Sequence, residues 1–157
     1  IVNMLEDEFM YLVMDKGYML SIENQTYLAR RVQYDKDNIS IIFYCDLMET
    51  SFTFEIKLVY NSVNFLICES PVNHKLSRPS ELNKKVVYKS IFEFTKEVWS
   101  EELFHKKKNE LLHTKFGFNK NQKLRVELIK LYRELLTLAI ANIEKENEKY
   151  QVESLFM

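Results

Sequence analysis

Glycine and proline are scarce in this chain of 157 residues, which contains two of each. Gly17 and Gly117 stand alone, so the sequence has neither a G-x-G-x-x-G fingerprint nor a P-loop. Their absence argues against the common nucleotide-binding folds. The low content of both residues also excludes collagen-like segments and Gly-rich flexible linkers.

Cysteine is equally sparse, since Cys45 and Cys68 are the only two and no C-x-x-C spacing occurs. Each lies in an apolar run, where a reduced, buried thiol is the expected state. The sequence opens on no signal-peptide pattern, and no apolar stretch approaches the ~20 residues that cross a bilayer. We therefore expect a cytoplasmic protein.

The net charge of −1 hides a segregation of charge along the chain. Residues 1–70 carry 5 Lys and Arg against 11 Asp and Glu, residues 71–133 carry 15 against 7, and residues 134–157 carry 2 against 5. Such asymmetry steers a charged partner or lets one half of a fold pack against the other.

Helical spacing of apolar residues predicts a first helix over 4–16, with Leu5, Phe9 and Leu12 on one face. Asn3 and Glu6 fit an N-cap and its capping-box partner. Gly17 follows at the position where a helix takes a left-handed residue.

Alternation of period two replaces the helical pattern from residue 25 to residue 68. Four runs predict strands: "TYLARRVQY", "ISIIFYC", "FTFEIKLVY" and "SVNFLIC". Their short connectors are rich in turn-forming residues and too short for parallel crossovers, so we predict a four-stranded antiparallel meander.

The second half of the chain follows a helical pattern. Residues 71–89 predict a basic loop, and "SIFE" at 90–93 is a capping box that opens a helix running to Gly117, with or without a break near Ser100. Its expected apolar stripe consists of Ile91, Phe94, Val98 and Leu103. Asn121 then caps a long helix reaching about Tyr150.

Strands in one block and helices in another predict a single α+β domain over 1–157, with the helices on one face of the sheet. Its parts are the helix and sheet of 1–70, the loop of 71–89 and the helical half of 90–157. Apolar residues are expected on or near the other sheet face: Tyr27, Ala29, Ile42, Tyr44, Val59 and Leu66. That face is either covered by further chain or used against a partner.

Glu-x-x-His occurs twice, as Glu102/His105 and Glu110/His113, a spacing found in carboxylate-bridged metal sites. Both copies lie on one predicted helix, about 12 Å apart along its axis. Cooperating metals lie ~3.5–4 Å apart, so the two pairs cannot share a dinuclear site. We expect solvated side chains, no metal and no cofactor.

Catalytic patterns are weak. Cys–His chemistry needs Cys45 or Cys68 exposed and next to a base, whereas alternation places Cys45 on the core side, and no G-x-S-x-G elbow occurs. Carboxylate pairs such as Asp46 with Glu49 or Glu55 are expected in any chain this acidic. The sequence therefore predicts a protein that is not an enzyme.

The basic region from 71 to 133 permits a second hypothesis, contact with nucleic-acid phosphates. Its candidate residues are Lys84, Lys85, Lys106, Lys107 and Lys108. Interleaved glutamates favour a solvated helix face instead.

Leucines in the long helix repeat every seven residues at Leu124, Leu131 and Leu138, with Leu128 and Leu135 between them. This pattern is too short for a secure coiled coil. We expect the helix to pack on its own sheet, with homodimerisation as the alternative.

The order of elements consists of one helix ending in "GY", the strand region "VQYDKDNISIIFYCDLMETSFTFEIKL" and a helical C-terminal half. This order resembles that of small bacterial proteins of the toxin-immunity kind. The resemblance covers the N-terminal half best. It implies a single-domain α+β protein that works by binding, occludes a cognate effector and has no catalytic residues.

These observations predict a non-enzymatic binding protein. The alternative hypothesis is a nucleic-acid-associated protein that uses the basic region 71–133. The protein partner would be basic, for example a toxin domain, because acidic residues lie near the sheet. The candidate partner-binding residues are Asp35, Asp37, Ile42, Tyr44, Asp46, Glu49 and Glu55.

Overall fold

The computed structural model describes residues 2–26, 29–46, 54–68, 87–112 and 122–155. The helical elements are α1 (Val2–Phe9), α2 (Tyr11–Met14), a 3₁₀ turn (Ile91–Glu93), α3 (Glu101–Leu112) and α4 (Gln122–Leu155). The strands are β1 (Met19–Thr26), β2 (Ala29–Lys36), β3 (Ile39–Asp46), β4 (Phe54–Tyr60), β5 (Val63–Cys68) and β6 (Tyr88–Ser90).

The strands form one sheet in the order β1-β2-β3-β4-β5-β6. The α+β class is confirmed, and the four predicted strands are β2 to β5, paired antiparallel. The predicted strand number is wrong, because β1 extends the sheet beyond β2 and β6 joins β5 in parallel. β6 ends the segment that the sequence predicted as a basic loop, and the rest of that loop lies outside the described residues.

Two tight turns fix the register of the central strands. Asp37 adopts φ 53° between β2 and β3, while Asn61 and Ser62 adopt φ 49° and 63° between β4 and β5. Asp and Asn tolerate the left-handed region better than other residues with a Cβ, which explains their presence in these turns.

The N-terminal helix begins earlier than predicted and is interrupted. α1 starts at Val2, so Asn3 lies inside the helix and not at its N-cap, and Met10 separates α1 from α2. Gly17 adopts φ 76°, as its predicted left-handed role requires. The Tyr18 N–H then donates to the Leu12 carbonyl at 2.9 Å, which turns the chain towards β1.

The core lies between one face of the sheet and the helices. Phe9 of α1 packs on Phe43 of β3 with ring centroids 4.6 Å apart, and Phe54 of β4 meets Tyr132 of α4 at 5.9 Å. Cys45 and Cys68 are buried free thiols. Burial, with the charge of Glu6 adding to it, raises the pKa of Cys45 to about 12.

The helical half breaks near Ser100, one of the two options that the sequence left open. Ser90 caps only the short 3₁₀ turn, its hydroxyl accepting from the Phe92 N–H at 3.3 Å. Ser100 caps α3 in the same way, accepting from the Leu103 N–H at 3.1 Å. The predicted apolar stripe holds only in its first part: Ile91 is buried and Phe94 packs against the core, but Val98 and Leu103 are exposed and Phe104 is the buried residue of α3.

The long helix α4 ends at Leu155, beyond the predicted end at Tyr150. Most of its leucine seam faces its own sheet, with Leu128, Leu131 and Leu135 buried in the core, whereas Leu138 is only partly buried. The seam is therefore used within the chain. The predicted cap, Asn121, lies outside the described residues.

Candidate functional site

The sheet face opposite the helices brings together several of the predicted partner-binding residues. Tyr44 on β3 lies directly opposite Glu55 on β4, and Ile42 lies two residues from Tyr44 on the same face. Asp35 reaches this face from β2, and Asp37 lies in the following turn. Asp46 ends β3 without a described side chain, and Glu49 lies outside the described residues.

This group does not form an open binding surface. The exposed fraction is 1% for Tyr44 and 5% for Glu55. The Arg31 guanidinium lies 5.9 Å and the Lys57 ammonium 5.0 Å from the centre of the Tyr44 ring. Of the two alternatives for this sheet face, covered or open, burial favours the covered state around Tyr44.

The acidic residues near the turn between β2 and β3 differ in how far their carboxylates are free to contact a partner. The Asp35 carboxylate accepts from the Ser40 hydroxyl at 2.6 Å and from the Gln33 amide at 2.8 Å. Asp37 is exposed in its turn. Among the predicted acidic residues with described side chains, Asp37 therefore offers its carboxylate most openly to a partner.

The basic alternative receives little support from α3. Lys106, Lys107 and Lys108 are consecutive on a helix, so their side chains leave it about 100° apart and cannot follow one phosphate backbone together. Exposed glutamates interrupt the same helix at Glu102 and Glu110. Lys84 and Lys85 lie outside the described residues.

In the part of the chain that the structure describes, the Glu-x-x-His motifs do not bring a set of metal ligands together. His105 pairs with Glu101 at 3.7 Å, one turn earlier, and not with Glu102. His113 lies outside the described residues. Within the described ranges no group of three or more His, Cys, Asp or Glu side chains could hold a metal ion.

A groove of about 710 Å³ lies on the helical side of the molecule, along the face of α4 that points away from the sheet. One wall comes from α1 and α2 and the residues after them, the other from the segment before α3, and the floor from α4. We call it the α4 groove. It is broad and open, unlike the enclosed cavities that bury most of a small ligand.

The first wall is joined to the floor by polar contacts between distant parts of the chain. The hydroxyls of Tyr11 and Thr137 share a hydrogen bond of 2.7 Å. Arg133 donates to Glu8 at 2.9 Å and places its guanidinium 4.6 Å from the centre of the Tyr11 ring. Burial raises the pKa of Tyr11 despite the opposing effects of Thr137 and Arg133, so its hydroxyl keeps its proton at neutral pH.

The second wall consists of Val98 and Trp99, which lie in a turn fixed by hydrogen bonds within the turn and to α4. The Trp99 N–H donates to the Thr95 carbonyl at 2.7 Å, and the Thr95 hydroxyl donates to the Trp99 carbonyl at 3.1 Å. The Trp99 ring meets Phe104 edge to face at 5.7 Å. Asn142 of α4 donates to the Phe94 carbonyl and fixes this turn to the long helix.

The floor is built from two ridges of α4 at helical spacing. Arg133, Thr137 and Ala141 form one ridge. Lys130, Glu134 and Leu138 form the other. Small residues at 137 and 141 let another chain approach the helix closely, and charges of both signs line the end nearer residue 130.

The chemistry of the α4 groove suits recognition. An indole, a valine and a leucine offer apolar contact, while the Glu8–Arg133 pair and its neighbours offer orientation by charge. The exposed fraction of Val98 is 60%, which leaves apolar surface open to solvent.

Sequence reasoning missed the groove, because its residues come from three segments that are far apart in the chain. Tyr11 and Thr137 are separated by 126 residues. One local signal was present: a lone tryptophan directly after Val98 and just before the helix cap at Ser100.

Comparison with protein-family models, curated proteins and solved structures gave no match. None of the helices that the structure describes combines the length and apolarity needed to cross a membrane.

Proposed function

We propose that this protein is a non-enzymatic binding protein of the immunity type, which occludes a protein effector by holding one of its segments in the α4 groove. The observation that carries the proposal is the open, partly apolar groove with Trp99 on one wall and an ordered Glu8–Arg133–Tyr11 array on the other.

The groove dimensions suit a peptide segment. Its floor runs from Lys130 to Ala141, which corresponds to roughly 16 Å along a helix axis. About three turns of a partner helix match that length, and helix-in-groove docking uses apolar side chains one turn apart. The expected occupant is therefore an amphipathic helical segment of the effector, with apolar anchors against Trp99 and Leu138.

The acidic N-terminal part of the chain favours a basic effector, while the α4 groove itself is lined by three acidic and three basic residues. Residues 1–70 carry a balance of −6, and Asp37 is exposed at one end of the sheet. Complementary charge speeds encounter more than it adds affinity. The resemblance of the N-terminal half to toxin-immunity proteins points to a toxin domain as the effector.

Two features support a binding role over catalysis. The buried thiol of Cys45, whose pKa rises to about 12, is a poor nucleophile at neutral pH. The α4 groove is lined by apolar residues such as Leu138 and Ala141 together with charged residues of both signs, a mixture that suits orienting a partner.

The test compares capture of a partner from the native host by the wild type and by two arginine variants. Ala141→Arg places a long charged side chain on the groove floor. Leu103→Arg places the same side chain on α3 at a residue that does not line the groove and is already 49% exposed. A stoichiometric protein partner retained by the wild type and by Leu103→Arg, and lost by Ala141→Arg, is the expected result.

A second readout uses the single tryptophan. Protein labelled with fluorotryptophan gives one ¹⁹F resonance, from Trp99, and the purified partner should shift it. A partner that survives nuclease digestion of the extract but binds Ala141→Arg as tightly as the wild type would exclude the groove. Recovery of nucleic acid alone would favour the alternative function.

A further inference from the structure

Strand β1 forms one edge of the sheet and carries apolar side chains that the fold leaves open. The exposed fraction is 37% for Leu20 and 47% for Ile22. Leu20 lies opposite Tyr34 and Ile22 opposite Val32, two buried core residues of β2. Leu20 and Ile22 therefore lie on the core-facing side of the sheet, where each ends a row of apolar side chains that runs across neighbouring strands.

The helical layer has a matching apolar border. Glu6 of α1 pairs with Arg30 of β2 at 3.0 Å, on the side of the helix away from α4. Met10 follows Glu6 by one turn and lies on the same side. Met10 and Met14 are both exposed, so the helical layer also carries open apolar side chains.

Among the residues that the structure describes, this edge carries little of the usual protection against pairing. Proteins guard edge strands with lysine, proline, bulges or short length. β1 has eight residues, one charge at Glu23 and no proline, and its one irregularity comes after Asn24. The opposite edge, β6, has only three residues.

We infer that a second copy of this chain pairs antiparallel with β1, in the register that places Ser21 opposite Ser21 of the second copy. Leu20 then lies opposite Ile22 of the other copy, and the pair is repeated by the twofold axis. The core row Ile41–Tyr34–Leu20 continues through Ile22 and Val32 of the second copy.

Neighbouring registers are poorer. In the inferred register the twofold axis passes between the two Ser21 residues. Moving that axis to Glu23 sets two carboxylates directly opposite each other, which destabilises a strand pair. Moving it to Ile22 sets Leu20 opposite Asn24, and moving it to Leu20 leaves Ile22 beyond the paired strand. In the inferred register, Glu23 lies opposite Met19, so like charges do not meet.

The pairing closes on itself. Each copy has one β1, so a symmetric dimer uses both β1 edges and this contact does not propagate into a filament; its described strands make a twelve-stranded sheet with the short β6 at each outer edge. The surface lies at the sheet edge and does not include the residues lining the α4 groove. This inference is therefore independent of the proposed function.

The first test measures mass in solution by size-exclusion chromatography with light scattering. The wild type is expected at twice the chain mass of 18.9 kDa. Ile22→Lys buries a charge in the dimer but occupies an exposed position in the monomer, so it should shift the mass to one chain while its circular dichroism stays unchanged. Leu103→Lys is the matched control and should remain dimeric.

The second test checks the register by oxidation of introduced cysteines. Ser21→Cys puts two thiols directly opposite each other, with Cβ atoms about 4.5–5.5 Å apart, close enough to cross-link with small movement. Met19→Cys puts its two copies roughly 13 Å apart, four positions along the strand. Ser21→Cys should give a covalent dimer on a non-reducing gel, while Met19→Cys and the wild type should not.

A wild type that stays at one chain mass over its soluble concentration range overturns the inference. So does a dimer that Ile22→Lys leaves intact. Cross-linking of Met19→Cys as fast as Ser21→Cys overturns the register. Ala141→Arg should leave the dimer unchanged, which separates this test from the test of the groove.

Discussion

The guanidinium of Arg133 stacks over the ring of Tyr11, 4.6 Å from its centre. Arg133 also donates to Glu8, and Tyr11 also bonds Thr137, so two polar links join the first helices to α4. These links hold one wall of the α4 groove in place. Stability and binding should therefore respond together when this wall is altered.

Tyr11→Phe should lower the free energy of unfolding by about 0.5–1.5 kcal/mol, because the substitution removes the hydroxyl that bonds Thr137. The phenyl ring stays under the guanidinium of Arg133. Urea unfolding measures the change. Thr137→Val should cost a similar amount, and the double variant should cost less than the sum of the two. Strictly additive effects would show that the two hydroxyls do not interact.

Phe104→Ala should cost about 3–5 kcal/mol, because the ring is 1% exposed and packs against Trp99 and Tyr132. Leu103→Ala, one residue earlier in α3, should change stability by less than about 0.5 kcal/mol because Leu103 is solvent-exposed. Chemical denaturation of both variants makes the comparison. Equal losses would mean that α3 presents a different face to the core.

Ser100→Ala should cost about 0.5–2 kcal/mol, because α3 loses the hydroxyl that accepts from the Leu103 N–H. Ser100→Asp should keep most of the stability, since aspartate caps helices equally well. Amide exchange in the first turn of α3 locates the effect. Faster exchange confined to other elements would contradict the capping role.

Stability should fall as pH rises above about 9. The unfolded Cys45 thiol ionises near its ordinary pKa of 9.0, while burial raises the folded pKa to about 12. The unfolded state therefore releases a proton that the folded state keeps, and the free energy of unfolding falls with pH, by up to about 1.4 kcal/mol per pH unit for this group.

Buried tyrosines add to this alkaline loss, because burial also raises the pKa of Tyr34 and of Tyr132. Urea titrations from pH 7.5 to pH 11 should show the decline, and Cys45→Ala should flatten its first part. A flat profile through pH 11 would show that these groups are as solvated in the fold as in the open chain.

The sequence predicts the centre of the sheet well and its edges poorly. β4 alternates because one face meets the core, and that face includes Phe54, Ile56 and Leu58. β1 was missed because polar residues follow Ile22 and because an edge strand needs no fully buried row. β6 was missed because three residues are too few for a period.

The helical half shows the same limit. Val98 and Leu103 fit an apolar stripe in a single long helix, but Ser100 starts a new helix and changes the direction that each residue faces. Local spacing cannot reveal such a break when both options satisfy the pattern. The α4 groove depends on that break, because Trp99 reaches it from the turn before Ser100.

Site-specific photocross-linking tests the central proposal most directly, namely that an effector segment occupies the α4 groove. A photoreactive phenylalanine analogue replaces Val98 in the groove wall or Leu103 on α3, both exposed residues in this structure. The chain carrying it at position 98 should capture the effector, with the cross-link mapping to one amphipathic segment, and the chain carrying it at position 103 should not. Equal capture at both positions, or capture at 103 alone, would contradict the proposal.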